Sequence, residues 1–293
     1  MSDANAATPA QISGHGWLEV LKRTWTESGR DNVNIIAAGV AFYSFLAFVP
    51  LLAAMVLTYG LVAEPSSVVR HMQALTNLMP ADAARLIGQQ LMSMTQTGSS
   101  QKGLGLLLAM LLSIYGAMRG ASSVITALNL VYNVEEGRGF LRTTFLALLL
   151  TLGALAALLV AVLAVSSLAY LDRMLPTSAP GLQALVHILF WIGAALVISF
   201  LLAALYRYAP DRPSPKWRWL TPGSLAATLL WVAATLGFGF YVSSFGNYNA
   251  TYGSLGAVIV FLTWLYLTAY ILLMGGELNA ELEKQTDCET AQS

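Results

Sequence analysis

The residues of this chain that could do chemistry are few, and one of them lies within an apolar stretch. Only 10% of the 293 residues are charged, yet Arg119 lies between Gly116 and Gly120 in a run that could cross a membrane. A cation at that depth costs at least a few kcal/mol unless it reaches a partner, water or the interface. Arg119 is therefore either a cavity-facing contact for an anionic head group or a side chain that extends from the end of a span to the surface.

Further candidate ligand-binding residues lie near the end of the chain. Glu277 follows two glycines at the end of the last apolar stretch, where it either faces inward as an ion-pair partner or marks the membrane interface. Asn247, Asn249 and Tyr252 lie in a polar run that contains glycine. This run fits a tight turn between two helices, anchored by side-chain hydrogen bonds, better than it fits a re-entrant filter loop.

The sequence contains no pattern typical of catalysis or of cofactor binding. It has no phosphate loop, no dinucleotide-binding glycines, no nucleophile elbow and no paired carboxylates in an apolar stretch. One cysteine, Cys288, excludes an internal disulfide framework and a cysteine-based metal site. We therefore expect no catalytic residue, no metal and no cofactor. With 15 basic and 15 acidic residues, the chain also lacks a footprint for nucleic acid.

Membrane-spanning helices are the elements that would position these residues. A soluble domain carries about 25% charged residues, whereas this chain has 10%, with 57% hydrophobic residues. The charge-free intervals, with Arg119 accepted inside one, predict six spans at about 34–62, 103–131, 142–170, 182–207, 221–245 and 254–278. Pro50 should kink the first span, and Gly39, Gly116 and Gly120 should let neighbouring helices approach closely.

Basic residues between the spans predict the orientation of the chain. With the N-terminus inside, ten Lys and Arg residues lie on the inner side and four on the outer side, which with Arg119 makes all 15. Inner loops carry the excess of basic residues, so both termini are expected in the cytoplasm. The predicted fold class is an all-α membrane protein with six transmembrane helices, N-in and C-in.

Other segments are expected outside the bilayer. Residues 1–14 read as a disordered tail, 15–282 as a single membrane domain and 283–293 as a polar C-terminal tail. A short helix over 15–31 should lie along the cytoplasmic interface. In 65–100, apolar residues at helical spacing predict amphipathic helices in the long first extracytoplasmic loop.

Four stretches together are similar to a known family. They are residues 37–44 running to Pro50, residues 119–136, residues 241–256, and Gly276-Glu277-Leu278-Asn279-Ala280. Over about residues 20–282, the combination resembles the YihY/BrkB family of bacterial inner-membrane proteins, which are often labelled ribonuclease BN. The resemblance implies six helices in the inner membrane and no established biochemistry. Export of lipids or other amphiphiles and a part in envelope integrity have been suggested for the family.

Two functions follow as expectations. The first is transport or export of an anionic lipid or other amphiphile, with membrane lipids and that substrate as partners. The second is a non-transporting envelope protein that binds a partner through its outer helices. A ribonuclease is disfavoured, because the carboxylates are scattered through loops and tails rather than clustered as metal ligands or as an acid and base pair. The sequence leaves open whether copies of the chain form a homo-oligomer.

Overall fold

The computed structural model describes residues 12–62, 99–174, 180–212, 221–244 and 254–290, and these ranges are α-helical apart from short turns and loops. Seven helices occur within them: α1 (Gly14–Arg30), α2 (Val33–Val62), α3 (Ser99–Val131), α4 (Phe140–Met174), α5 (Pro180–Tyr208), α6 (Pro222–Ser244) and α7 (Ser254–Thr290). The all-α class predicted from the sequence is confirmed for this part of the chain.

The helices α2 to α7 match the six predicted spans to within four residues at every end except the end of α7. Over the residues described, three segments are long and apolar enough to cross a membrane, namely Gly181–Tyr208, Pro222–Val242 and Val258–Gln285. The helices α2, α3 and α4 have 30, 33 and 35 residues, where about 20 suffice for a crossing. Six crossings with both termini inside stay a prediction.

The chain divides into two compact units, and the smaller one is Tyr43–Gly120. In this unit α2 and α3 approach closely at Gly116, where an added Cβ would lie 2.9 Å from the Cα of Ala47. At Gly120 the contact is ordinary, since a Cβ would lie 3.8 Å from the Cα of Ser44. Pro50 lies within α2, and its predicted kink stays a prediction.

The larger unit comprises Met1–Phe42 and Ala121–Ser293. Its core forms where the beginnings of α2 and α4 meet the ends of α3 and α5 and the C-terminal half of α7. The buried residues of this core are Val33, Ala37, Val40, Ile125, Ala127, Leu128, Val131, Tyr132, Ala147, Tyr206, Ala209, Ala269, Leu273 and Ala280. Along the chain, helices that begin at this core alternate with helices that end at it. Such alternation is expected when consecutive helices run in opposite directions. Gly39 lies beside this core, where an added Cβ would meet no described atom within 4 Å, and its packing role stays a prediction.

Helices α6 and α7 cross at two glycines. A Cβ on Gly275 would lie 2.5 Å from the hydroxyl of Tyr206 and 2.7 Å from the Cβ of Ala227, so only a hydrogen fits. A Cβ on Gly223 would overlap the carbonyl oxygen of Gly275. The amide of Gly223 also donates to Oδ1 of Asn279 at 2.9 Å, which fixes the start of α6 against α7.

Helix α7 continues to Thr290, well beyond the predicted end of the sixth span at 278. The physical reason is that α1 packs against this extension: Val20 and Ile12 contact Leu278 and Leu282. The predicted domain boundary at 282 stays a prediction. At the other end, Ile12 is only 7% exposed, so the ordered chain begins earlier than residue 15, while residues 1–11 lie outside the described ranges.

Helix α1 presents three faces, and the predicted helix over 15–31 is present. Gly16, Val20, Thr24 and Ser28 are buried on one face. A second face is apolar and exposed, with Leu18, Leu21 and Trp25 at 57%, 50% and 69%. The third face carries charged side chains. An exposed apolar face beside a charged one is typical of a helix in a membrane interface. The amphipathic helices predicted over 65–100 lie outside the described residues, except that α3 begins at Ser99.

Candidate functional site

Arg119 lies on α3 in the smaller unit, and its side chain is exposed. Its Nε donates to the hydroxyl of Tyr115 at 3.1 Å, and its guanidinium carbon lies 5.2 Å from the centroid of that ring. Tyr115, Leu111 and Leu112 are themselves more than half exposed, at 58%, 57% and 58%. The cation therefore lies on an apolar, outward-facing helix surface, where it could bind an anion.

Glu277 lies in the most buried stretch of α7, and it is 0% exposed. Neither of its carboxylate oxygens accepts a hydrogen bond from any donor in the described chain. Asp31, in the turn between α1 and α2, interacts electrostatically with Glu277. The structure thus places Glu277 facing inward, but opposite a second acid rather than in a salt bridge.

The other three candidate ligand-binding residues are not described. Asn247, Asn249 and Tyr252 fall between Ser244, the last residue of α6, and Ser254, the first residue of α7. Their roles stay predictions. Arg119 belongs to the smaller compact unit and Glu277 to the larger one.

A polar network that joins two loops was missed from the sequence. Glu136 accepts hydrogen bonds from Nε and Nη2 of Arg138, both at 2.7 Å, and from Nδ2 of Asn129 at 2.8 Å. Asn129 in turn accepts from the amide of Asp211 at 2.8 Å, and Asp211 accepts from the amide of Gly137 at 2.9 Å. The network connects the loop after α3 to the loop after α5.

Electrostatics in this network are strongly complementary. The Arg138 guanidinium holds the pKa of Glu136 at about 2, below its ordinary 4.5, with a further contribution from Asn129. In the same way, Glu136 raises the pKa of Arg138. The predicted topology could have indicated this network, because it places the loop after α3 and the loop after α5 on the same, cytoplasmic side of the membrane.

Three more ion pairs secure the C-terminal part of α7. Arg212 donates to Glu283 at 2.5 Å, and its guanidinium carbon lies 3.9 Å from the ring centroid of Tyr132. Glu281 is buried between Nε of Arg23 at 3.2 Å and Nζ of Lys284 at 2.7 Å. These acids are engaged by basic side chains, in contrast to the Asp31–Glu277 pair.

The part of the chain that the structure describes contains no group of three or more His, Cys, Asp or Glu side chains placed to hold a metal ion. The charged groups that differ most from the paired ones in this part of the chain are the exposed guanidinium of Arg119 and the buried carboxylate of Glu277.

Comparisons with known proteins identify a family. The family model described as virulence factor BrkB matches residues 24–293. The ribonuclease-like protein YfkH of Bacillus subtilis is 30% identical over 253 residues, which cover 85% of this chain and 90% of YfkH. A UPF0761 membrane protein of Vibrio atlanticus is 27% identical over 286 residues, covering 94% of this chain and 86% of the relative. One from Cronobacter sakazakii is 27% identical over 273 residues, covering 91% and 88%. No solved structure matches the chain.

Proposed function

Because this chain belongs to the virulence factor BrkB family of membrane proteins, we propose that it transports or exports an anionic lipid or another anionic amphiphile across the bacterial inner membrane. In this proposal it is a multi-pass protein whose partners are membrane lipids and that substrate. The observation that supports it most is the exposed guanidinium of Arg119 on an apolar helix surface.

The surroundings of Arg119 suit both parts of an amphiphile. A guanidinium has five N–H donors, and the bond to Tyr115 uses one of them. The exposed side chain can therefore offer paired donors to a phosphate or a carboxylate, the geometry in which arginine binds such anions best. Leu111 and Leu112, exposed about two turns away, offer an apolar surface to the hydrocarbon chains.

The experiment measures the movement of a fluorescent phosphatidylglycerol across vesicles that contain the reconstituted chain. Arg119→Ala should lower the rate about tenfold or more, the effect of losing one charged hydrogen bond, and Arg119→Lys should retain part of it. Arg142→Ala is the matched control, because Arg142 is also an exposed arginine on an apolar helix. Its rate should equal that of the wild type.

Two results would count against this role of Arg119. Unchanged movement in Arg119→Ala would remove the residue from the pathway, and equal loss of movement and of membrane abundance would indicate a structural role. If deletion of residues 65–100 abolished an envelope phenotype while Arg119→Ala was silent, the alternative of a partner-binding envelope protein would be favoured.

We also propose that the chain has no hydrolytic activity. The name of YfkH contains the word ribonuclease-like, but the acidic side chains of the larger unit are mostly engaged by basic ones. Glu136 is bonded by Arg138 and Glu283 by Arg212. Purified protein in detergent should therefore not cleave RNA. Cleavage that a single substitution such as Glu277→Gln abolished would overturn this.

A further inference from the structure

The carboxyl groups of Glu277, which is fully buried, and Asp31, which is half-buried, form an unusual pair. Both oxygens of Glu277 and Oδ2 of Asp31 are buried without a hydrogen-bond donor among the described residues. The two carboxyl groups interact electrostatically. Asp31 is held in place by its own backbone, since its amide donates to the carbonyl of Glu27 at 2.8 Å.

Charged and titratable groups reach the pair from each element that packs around it. From α7 come Glu281 and Lys284, and the ammonium of Lys284 is already bonded to Glu281 at 2.7 Å. From α1 comes Glu27, which acts on Lys284 and is bonded by Arg30 at 2.6 Å. The basic side chains on this side are therefore occupied by other acids.

The end of α3 supplies the remaining neighbours of the pair. Tyr132, which interacts electrostatically with Glu277, has a buried hydroxyl beside Asn279 that makes no hydrogen bond within the described chain. The guanidinium of Arg212 lies over the ring of Tyr132 and is bonded to Glu283. Next to Glu277, the backbone at Gly276 packs against Leu128 and Val131, which makes this side of the pair apolar.

Two interacting carboxylates with buried oxygens that accept no hydrogen bond cannot both be ionised without a large electrostatic cost. A single proton resolves this, because a protonated carboxyl group donates to the carboxylate opposite and turns a repulsive contact into a strong hydrogen bond. A metal ion would instead require several additional oxygen ligands.

We propose that Asp31 and Glu277 form a proton-binding site that shares one proton at neutral pH and ties the α1–α2 turn to α7. Loss of this proton leaves two like charges in contact and weakens the packing of α1 against the C-terminal part of α7. The site therefore couples the proton concentration on this side of the protein to the position of its N-terminal helix.

Infrared spectroscopy of the full chain in detergent tests the proposal directly. The wild type should show the C=O band of a buried protonated carboxyl group at neutral pH, and Glu277→Gln and Asp31→Asn should each lose it. Glu135→Gln, which alters an exposed acid in the loop after α3, should keep the band. Absence of the band from the folded wild type would overturn the proposal even if the variants failed to fold.

Thermal unfolding gives a second, independent readout. In the proposed site the shared proton supplies the hydrogen bond between the two carboxyl groups, so wild-type stability should fall as the pH rises and this proton is lost. Glu277→Gln supplies a permanent N–H donor to Asp31, and its pH profile should be flatter than that of the wild type. A second comparison uses sodium and choline salts at equal ionic strength. If sodium raised the stability of the wild type and Glu277→Gln removed this effect, the pair would bind a metal cation. The proposal of a proton site would then be wrong.

Discussion

Charged residues in this chain differ in function according to the group that faces each one. Arg138 faces Glu136 through two hydrogen bonds of 2.7 Å, and such a complementary pair stabilises loops. Arg119 faces a tyrosine on its own helix, and Glu277 faces a second acid. Charged groups that lack a complementary partner are the stronger candidates for binding an ion or a proton, because such binding lowers their electrostatic free energy.

Replacing Glu136 by glutamine should lower the stability of the folded chain at neutral pH. Arg138 holds the pKa of Glu136 at about 2, against 4.5 ordinarily. Since the folded-state pKa is depressed, this stabilisation is present above about pH 4.5 and is lost as the pH falls toward about 2. The pair is partly exposed to solvent, so we expect a loss of about 1 kcal/mol.

Thermal unfolding in detergent at several pH values measures this effect. The wild-type and Glu136→Gln curves should differ at neutral pH and converge in acid, where the wild-type carboxylate is protonated. Glu135→Gln, one residue earlier and exposed, should match the wild type throughout. A difference that stayed constant into acid would contradict the assigned electrostatic cause.

At the scale of elements, α7 is the helix on which the larger unit is assembled. Its glycines allow the start of α6 to pack closely. Glu281 binds a basic residue of α1, and Glu283 binds one in the loop after α5. Leu278 and Leu282 contact α1. The extension beyond the predicted span therefore belongs to the packed structure.

Gly275→Ala should destabilise the protein, because the added methyl group would lie 2.7 Å from the Cβ of Ala227 and 2.8 Å from the carbonyl oxygen of Gly223. Overpacking of this kind costs about 1–3 kcal/mol. Gly193→Ala in α5, where no described atom lies within 4 Å, should leave stability unchanged or slightly raised. The fraction of monodisperse protein after graded heating compares the two. Equal stability would show that α6 and α7 do not approach as closely as described.

Helix α1 should lie in the membrane interface with Leu18, Leu21 and Trp25 toward the lipid. Spin labels at positions 21 and 19, in a Cys288→Ser background, test this in vesicles. The label at Leu21 should be more accessible to oxygen, which concentrates in lipid, and the label at Glu19 more accessible to a water-soluble nickel complex. Equal accessibility to the nickel complex at both positions would place α1 in water.

At the scale of the whole molecule, the sequence predicted the helices well and their contacts poorly. Charge-free intervals locate the helices because a bilayer excludes unpaired charge, and this rule is local in sequence. The ion pair between Arg23 and Glu281 is not local, so no spacing along the chain reveals it. The acidic residues therefore lie far apart along the sequence, although several of them lie at the same helix ends in the folded chain. Glu277 was recognised as a candidate, but Asp31 was not.

Movement of an anionic amphiphile across the membrane can be measured with the wild-type chain alone. Vesicles containing the purified chain and vesicles without protein should be loaded with fluorescent phosphatidylglycerol in one leaflet, and its appearance in the other leaflet should be timed. We predict faster movement with protein, and a smaller acceleration for an uncharged lipid that carries the same fluorophore. Equal rates with and without protein, in vesicles where the chain is folded and inserted, would contradict the proposed function.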